Sequence, residues 1–309
     1  MALRELIDHH RRQTGRAAWT SLGGFAADLE GCEQLLRLAE PLSPRLEITA
    51  LCHRSLLRGG PALRIDHPAG HSMPVLGNLF GSLDRVLAGL ELDRPSDLRE
   101  LGRDLAFLRN PGLPETLSQA LEKAPGFARL AHLMPVKTEH AAWQQEISEP
   151  DDVDLGSLPV CTCWPGDAGP LITWGMAITR GPSKPRVNLA VYRQQLIGRN
   201  KLIMRWLPHR GGALDHAEFT QRHPGRPFPV AVVIGADPAT LLAAVTPIPD
   251  TVSELQFAGL LRGRRSRVVR SGLTGLPVPA GAEIVLEGHI YPGETAAEGP
   301  FADHTGYYN

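Results

Sequence analysis

The sequence predicts an α+β fold in two parts, a small α/β domain over residues 1–133 followed by a β-rich domain over residues 134–309. Three observations predict it. Apolar residues recur at helical spacing through most of the first 130 positions. Beyond about residue 134, β-type runs replace them, and Pro135, Pro150, Pro159, Pro165 and Pro170 punctuate the chain. With 309 residues, the chain is long enough for two domains of ordinary size.

In order along the chain, Leu3, Leu6 and Ile7 mark a first helix, and further helices are expected over 32–39 and 48–57. Residues 61–66 alternate and close at Pro68-Ala-Gly70. Residues 73–78 form a short apolar run that stops at Gly77-Asn78, so both read as extended. Helical spacing returns over 84–90, 97–109 and 114–133, which makes a small α/β layer the economical arrangement. In the second part, strands are expected over 171–180, 187–196, 201–207, 230–235, 267–269 and 283–290. Gly198-Arg-Asn200 between the second and third suggests a hairpin. Helices over 239–245 and 252–261 attach to this β-barrel or sandwich, which is not a βαβ array.

Composition excludes several function classes. Lys and Arg number 32 against 33 Asp and Glu, with 42% hydrophobic and 21% charged residues, so neither a disordered chain nor a basic nucleic-acid binder fits. The arginine run from Arg262 to Arg270 therefore reads as a solvated helix end and strand start. His9 and His10 read as exposed. No apolar window is long enough to span a bilayer, and the N-terminus lacks the apolar stretch of a secretory signal, so a cytoplasmic protein is expected. Of four cysteines, only Cys161 and Cys163 are close; on a strand they would share a face, as free thiols. Gly-x-Gly-x-x-Gly, Walker A, Gly-x-Ser-x-Gly and His-Glu-x-x-His patterns are missing.

Three segments put unusual polar groups beside apolar runs. Asn188 and Arg193 differ by an odd number of positions, so a regular pleat faces them oppositely unless a bulge intervenes; a half-exposed strand is the plainer alternative. The run from Lys201 ends in Pro208-His209-Arg210-Gly211-Gly212, where glycines permit close backbone approach and arginines suit a phosphate; an ordinary turn explains it equally well. Glu254 and the terminal Glu298-Gly-Pro-Phe-Ala-Asp303 supply carboxylates suited to proton transfer, or simply a solvated acidic loop.

Several long motifs in a fixed order join these segments. They include Thr-Cys-Trp-Pro (162–165), Leu-Ile-Thr-Trp-Gly (171–175), Asn-Leu-Ala-Val-Tyr-Arg-Gln-Gln-Leu-Ile-Gly (188–198) and Lys-Leu-Ile-Met-Arg-Trp-Leu (201–207). His-Arg-Gly-Gly-Ala-Leu-Asp (209–215), Gly-Ala-Asp-Pro-Ala-Thr (235–240), Glu-Ile-Val-Leu-Glu-Gly (283–288) and Glu-Gly-Pro-Phe-Ala-Asp-His-Thr-Gly-Tyr-Tyr-Asn (298–309) follow. This block resembles the UbiD-type decarboxylases, which use prenylated FMN. Gly-Gly-Pro-Ala-Leu (59–63) and Ser-Met-Pro-Val-Leu-Gly-Asn-Leu-Phe-Gly (72–81) extend the likeness into the first domain, whereas residues 14–42 match less well.

The resemblance implies that residues 134–309 form a flavin-reductase-like split β-barrel holding prenylated FMN, with Mn²⁺ or Mg²⁺ at its phosphate and K⁺ as a further candidate cation. It implies Asn188, His209 and Glu254 as metal ligands, and Val191, Tyr192, Arg193, Arg205, Trp206, Leu207, Arg210 and Gly211 as the cofactor cradle. The implied reaction is non-oxidative decarboxylation of a polyprenyl-4-hydroxybenzoate to a polyprenylphenol in ubiquinone biosynthesis, through a covalent adduct with the cofactor. Asp303 is then the proton donor, in an ionic network with Arg193 and Glu298, and a dry, apolar setting is expected around it. The implied partners are an aromatic carboxylic acid substrate, a flavin prenyltransferase as cofactor supplier, and copies of the chain in a homo-oligomer. A polyprenyl substrate would add peripheral contact with the inner membrane. The family continues past the position of Asn309 with a C-terminal domain, so that domain is expected to be absent here and the oligomer weakened. Three alternatives stay open: a cofactor-binding fragment or pseudoenzyme, a conventional flavin oxidoreductase, and a decarboxylase of another aromatic or α,β-unsaturated acid.

Overall fold

The structure, a computed structural model, describes residues 7–8, 19–109, 130–249, 251–303 and 305–308. Among the described residues, the first part is a three-stranded sheet with helices. Helix α1 (Leu22–Gly31) starts at Ser21, whose hydroxyl accepts the Gly24 N–H. Strand β1 (Leu35–Leu38) pairs in parallel with β2 (Ala62–Ile65) after the crossover helix α2 (Glu47–Leu57), and β3 (Val75–Gly77) adds antiparallel to β2. Helices α3 (Leu83–Gly89) and α4 (Pro95–Arg109) follow.

The helix expected over 32–39 is β1 instead. Cys32 caps α1, Glu33 takes a left-handed φ of 58°, and the leucine-rich run then pairs residue for residue with Ala62–Ile65. Tertiary pairing outweighs the weak helix preference of leucine. Helix α1 itself was not anticipated. The helix expected over 114–133 lies, except for its last four positions, outside the described residues, as does most of the one marked by Leu3, Leu6 and Ile7.

Among the described residues, ten strands make up the second part, in three further sheets: β13-β10-β6-β7, β5-β8-β9 and β12-β11-β4. Their spans are β4 (Val136–Lys137), β5 (Leu171–Ile172), β6 (Met176–Thr179), β7 (Asn188–Val191), β8 (Gln194–Gly198), β9 (Lys201–Met204), β10 (Phe228–Ile234), β11 (Arg267–Arg270), β12 (Pro277–Pro279) and β13 (Ile284–Ile290). Helices α5 (Gly211–Arg222), α6 (Pro238–Ala243) and α7 (Glu254–Arg262) pack on them. Strands β8 and β9 form the expected hairpin, with a register shift between Leu196 and Gly198.

Two expected strands are each two strands. Residues 171–180 break at Trp174-Gly175, because Gly175 lies against the Gln194 carboxamide and its carbonyl accepts Gln194 Nε2 at 3.1 Å. The stretch 187–196 leaves one sheet at Val191 and enters another at Gln194. Strand β9 stops at Met204, short of the expected Leu207. No strand forms at Cys161 and Cys163 either: Thr162 between them makes only an isolated bridge to Arg45. All four cysteines are free thiols. Among the described residues none of the sheets closes into a barrel.

Met176, Ile178, Leu189, Ala231, Val233 and Val278 centre the core of the second part, and Leu22 of α1 joins them. Leu76, Leu79 and Phe80 pack against both this cluster and the one around Phe25, Leu29 and Ala62. The two parts therefore share an apolar seam.

Candidate functional site

Residues 191–194, where the chain passes between sheets, place two groups of polar side chains next to each other. On one side, the buried Asn188 opens β7 opposite Thr179. Its Nδ2 donates to Thr179 Oγ1 (3.3 Å), and Thr179 Oγ1 donates to Asp215 Oδ2 (2.8 Å). Asp215 Oδ1 in turn accepts Lys184 Nζ at 2.6 Å. This buried relay fixes the Asn188 carboxamide with its oxygen against Gly211, where a Cβ would overlap it.

Gly211 opens α5. Its cap, Arg210, has an extended backbone and contributes no side-chain hydrogen bond to the helix start, while the Gly212 N–H donates to the Tyr192 hydroxyl (3.0 Å). Burial pushes the Tyr192 phenol up from its usual pKa. The indole Nε1 of Trp206, which stacks edge-on to Tyr192 at 6.0 Å, is buried without a hydrogen-bond partner among the described residues. A helix start without a side-chain cap, with an unpaired indole donor beside it, suits an anion.

Glu254 arrives from the first turn of α7, which Ser253 and Gln256 begin with a reciprocal capping box. Its Oε2 accepts the Leu189 N–H at 2.8 Å, one residue from Asn188. Burial raises the Glu254 carboxyl above its usual range, against the Leu189 N–H and the Arg186 charge. A carboxylate so desolvated, near an oriented amide oxygen, suits a hard cation. The predicted third ligand, His209, is exposed in the turn two residues ahead of Gly211. Among the described residues no cluster of three or more His, Cys, Asp or Glu side chains is placed to hold a metal ion.

On the other side of the crossing, Arg193 meets Glu298 through a two-pronged fork, Nε to Oε1 at 2.5 Å and Nη2 to Oε2 at 2.8 Å. Its guanidinium carbon lies 5.6 Å from the centre of the fully buried Phe301 ring. Tyr192 and Arg193 are adjacent outside regular strand, so the break resolves the parity problem that an unbroken pleat would pose. Asp303 is half-buried, and its Oδ1 accepts both the N–H and the hydroxyl of Thr305. This polar turn replaces the dry, apolar setting expected around it.

Residues 134–309 match the profile described as the 3-octaprenyl-4-hydroxybenzoate carboxy-lyase Rift-related domain. The chain belongs to the UbiD family. Residues 26–105 match the N-terminal domain of the same carboxy-lyase. Among solved structures, the UbiD-class enzyme HmfF from Pelotomaculum thermopropionicum in complex with FMN is 30% identical, with a TM-score of 0.77 over 94% of this chain and 59% of that one. An evolved dimeric form of it in complex with prFMN is 29% identical, with a TM-score of 0.78 over 94% and 61%. The vanillic acid decarboxylase of Sedimentibacter hydroxybenzoicus in its closed form is 26% identical, with a TM-score of 0.80 over 95% and 59%. The chain therefore spans about three fifths of the length of these UbiD-class relatives.

Of the remaining predicted residues, Val191 and Arg205 lie at the same crossing. The Val191 N–H donates to the Ala244 carbonyl (3.4 Å), and the Arg205 N–H to the Arg193 carbonyl (3.4 Å). Leu207 and Arg210 are exposed on the turn before α5. Sequence reasoning missed Thr179, Lys184 and Asp215. Asp215 stands four residues after Gly211, which puts both on one face of a helix, but the paired glycines read as a turn and no helix was expected there.

Proposed function

We propose that this chain forms the cofactor-holding part of a decarboxylase that removes CO₂ from an aromatic carboxylic acid with prenylated FMN. The carrying observation is the Arg193–Glu298 fork, one residue from Tyr192, whose hydroxyl meets the first turn of α5. One short stretch of chain thus reaches both an anion site and a paired arginine–carboxylate centre. The FMN and prFMN in the HmfF structures support the cofactor, and the vanillic acid decarboxylase supports the substrate class.

The residues present fit such a cofactor. Its phosphate would be held at Gly211 and Gly212 with Arg205 and Arg210, and the orphaned Trp206 N–H offers a further donor. Asn188, Glu254 and His209 would offer amide, carboxylate and imidazole ligands to Mn²⁺ or Mg²⁺. Val191, Tyr192 and Leu207 complete the cradle. The sheets joined at Tyr192-Arg193 would supply the two halves of a split barrel.

Prenylated FMN supplies the electron sink that an aromatic ring lacks for direct loss of CO₂. The protein's own contribution is orientation and a proton. Arg193 sets the plane of the Glu298 carboxylate through two parallel bonds, and Phe301 shields that pair from water. Asp303, five positions on from Glu298, would return the proton to the ring carbon that CO₂ leaves. A polyprenyl-4-hydroxybenzoate of ubiquinone biosynthesis is the substrate that the motif resemblance favours, and it would draw the protein to a membrane surface, with a flavin prenyltransferase supplying the cofactor. No helix among the described residues is long and apolar enough to cross a membrane.

The test is headspace CO₂ from protein co-expressed with a flavin prenyltransferase, loaded with Mn²⁺ and given vanillate, 4-hydroxybenzoate and its prenylated derivatives. Release that depends on the co-expressed transferase is expected. Retained cofactor with no CO₂ from any of these acids would reduce the chain to a holding role.

A further inference from the structure

Asp167 lies outside the site described so far, yet both of its carboxylate oxygens are engaged by backbone donors, one from its own loop and the other from a distant segment. Oδ2 accepts the N–H groups of Cys163 (3.1 Å) and Trp164 (2.8 Å), which closes its own loop. Oδ1 accepts the N–H of Ala302 at 3.0 Å, across 135 positions and one residue before Asp303. The loop makes two more ties to the same terminal segment. The Ala168 N–H donates to the Pro300 carbonyl (2.9 Å), and the Gly166 N–H to the Tyr308 hydroxyl (2.9 Å). From the other side, Gln195 Oε1 accepts the Gly299 N–H at 3.0 Å, two residues after Arg193.

The loop is itself anchored on the first part of the fold. The Thr162 N–H donates to the Pro44 carbonyl (3.1 Å), the Leu46 N–H to the Thr162 carbonyl (2.8 Å), and the Trp164 ring meets His53 of α2 edge-on at 5.8 Å. A continuous set of contacts therefore runs from α2 through Asp167 to the backbone that carries Glu298 and Asp303.

We propose that Asp167 is a positioning residue for the proton-donating segment, holding Asp303 in register with the Arg193–Glu298 pair. The proposal rests on the decarboxylase reading for its chemical meaning but not for its structural test. A proton donor must be held to within about half an ångström, and residues 299–303 lie outside any helix or strand, so their place depends on ties to other segments. A carboxylate suits this task because it accepts on both oxygens; an amide of the same shape turns NH₂ toward one of the two sets of N–H groups.

The experiment compares wild-type protein with Asp167→Asn, with Tyr308→Phe as a second variant and Asp152→Asn as an exposed charge control. Backbone amide hydrogen–deuterium exchange is followed over residues 299–303. For Asp167→Asn, exchange there should accelerate about ten- to hundred-fold, the factor carried by a hydrogen bond to a charged acceptor, while β10 and β13 stay protected. Tyr308→Phe should loosen the same segment by a smaller factor, and Asp152→Asn should leave it unchanged. In the cofactor-loaded protein, Asp167→Asn should lower kcat and leave KM near wild type, a split that general loss of fold would not produce. Unchanged exchange at 299–303, or acceleration spread evenly over the whole domain, would overturn the proposal. If even the wild-type chain releases no CO₂, the functional reading fails while the exchange result still decides the anchor.

Discussion

Arg193 and Glu298, 105 positions apart, meet in a bidentate pair at 2.5 and 2.8 Å. The pair exists because the chain leaves β7 at Val191 and joins β8 at Gln194, so that Arg193 is released from the pleat. Lysine cannot reproduce the planar fork. Arg193→Lys should therefore lower kcat by about 100-fold, the scale seen when one oriented donor is removed from an active site. Equal turnover by the two proteins, followed as CO₂ release, would remove Arg193 from the account.

Glu254→Gln keeps an oxygen that can accept the Leu189 N–H but discards the charge. Mn²⁺ affinity, read by isothermal titration, should fall about ten-fold or more, with little change in unfolding temperature. If affinity is unchanged, the cation is held elsewhere.

A separate ion pair tests the fold beneath the site. Arg262 meets Asp237 at 2.7 Å with both side chains almost fully buried, and Asp237 also caps α6 through the Thr240 N–H. Arg262→Ala leaves that carboxylate buried without its cation and should destabilise by about 3–5 kcal/mol in urea unfolding. A loss below about 1 kcal/mol would mean that water reaches Asp237.

Burial pushes the Cys161 thiol up to about 12 and Cys52 up to about 11, whereas an unfolded thiol titrates near ~8.5. The folded chain holds these protons more tightly than the unfolded one. The corresponding stability is fully present below pH ~8.5 and is lost as pH rises toward the folded values. Melting temperature should fall progressively above pH ~8.5, and iodoacetamide should label both thiols slowly at neutral pH until urea is added. Rapid labelling of the native protein would contradict this placement.

The strands around Val232 and Leu286 were legible because their apolar, β-branched runs are long. The segment 35–38 was not, since its leucines favour a helix and only pairing with 62–65 makes it a strand. Asn188, Arg193, Glu254 and Glu298 were chosen by motif, but their grouping depends on a sheet crossing at 192–193 that alternation cannot reveal. Thr179, Lys184, Asp215 and Asp167 had no local signal. Each acts on a partner more than thirty residues away, or through one that does.

Native mass spectrometry of the chain co-expressed with a flavin prenyltransferase and supplied with Mn²⁺ tests the central claim most directly. The account predicts a complex carrying the mass of prenylated FMN together with one divalent cation, and depleted of both in Asn188→Ala and Glu254→Gln. Apoprotein alone, or unmodified FMN held equally well by wild type and both variants, would contradict it.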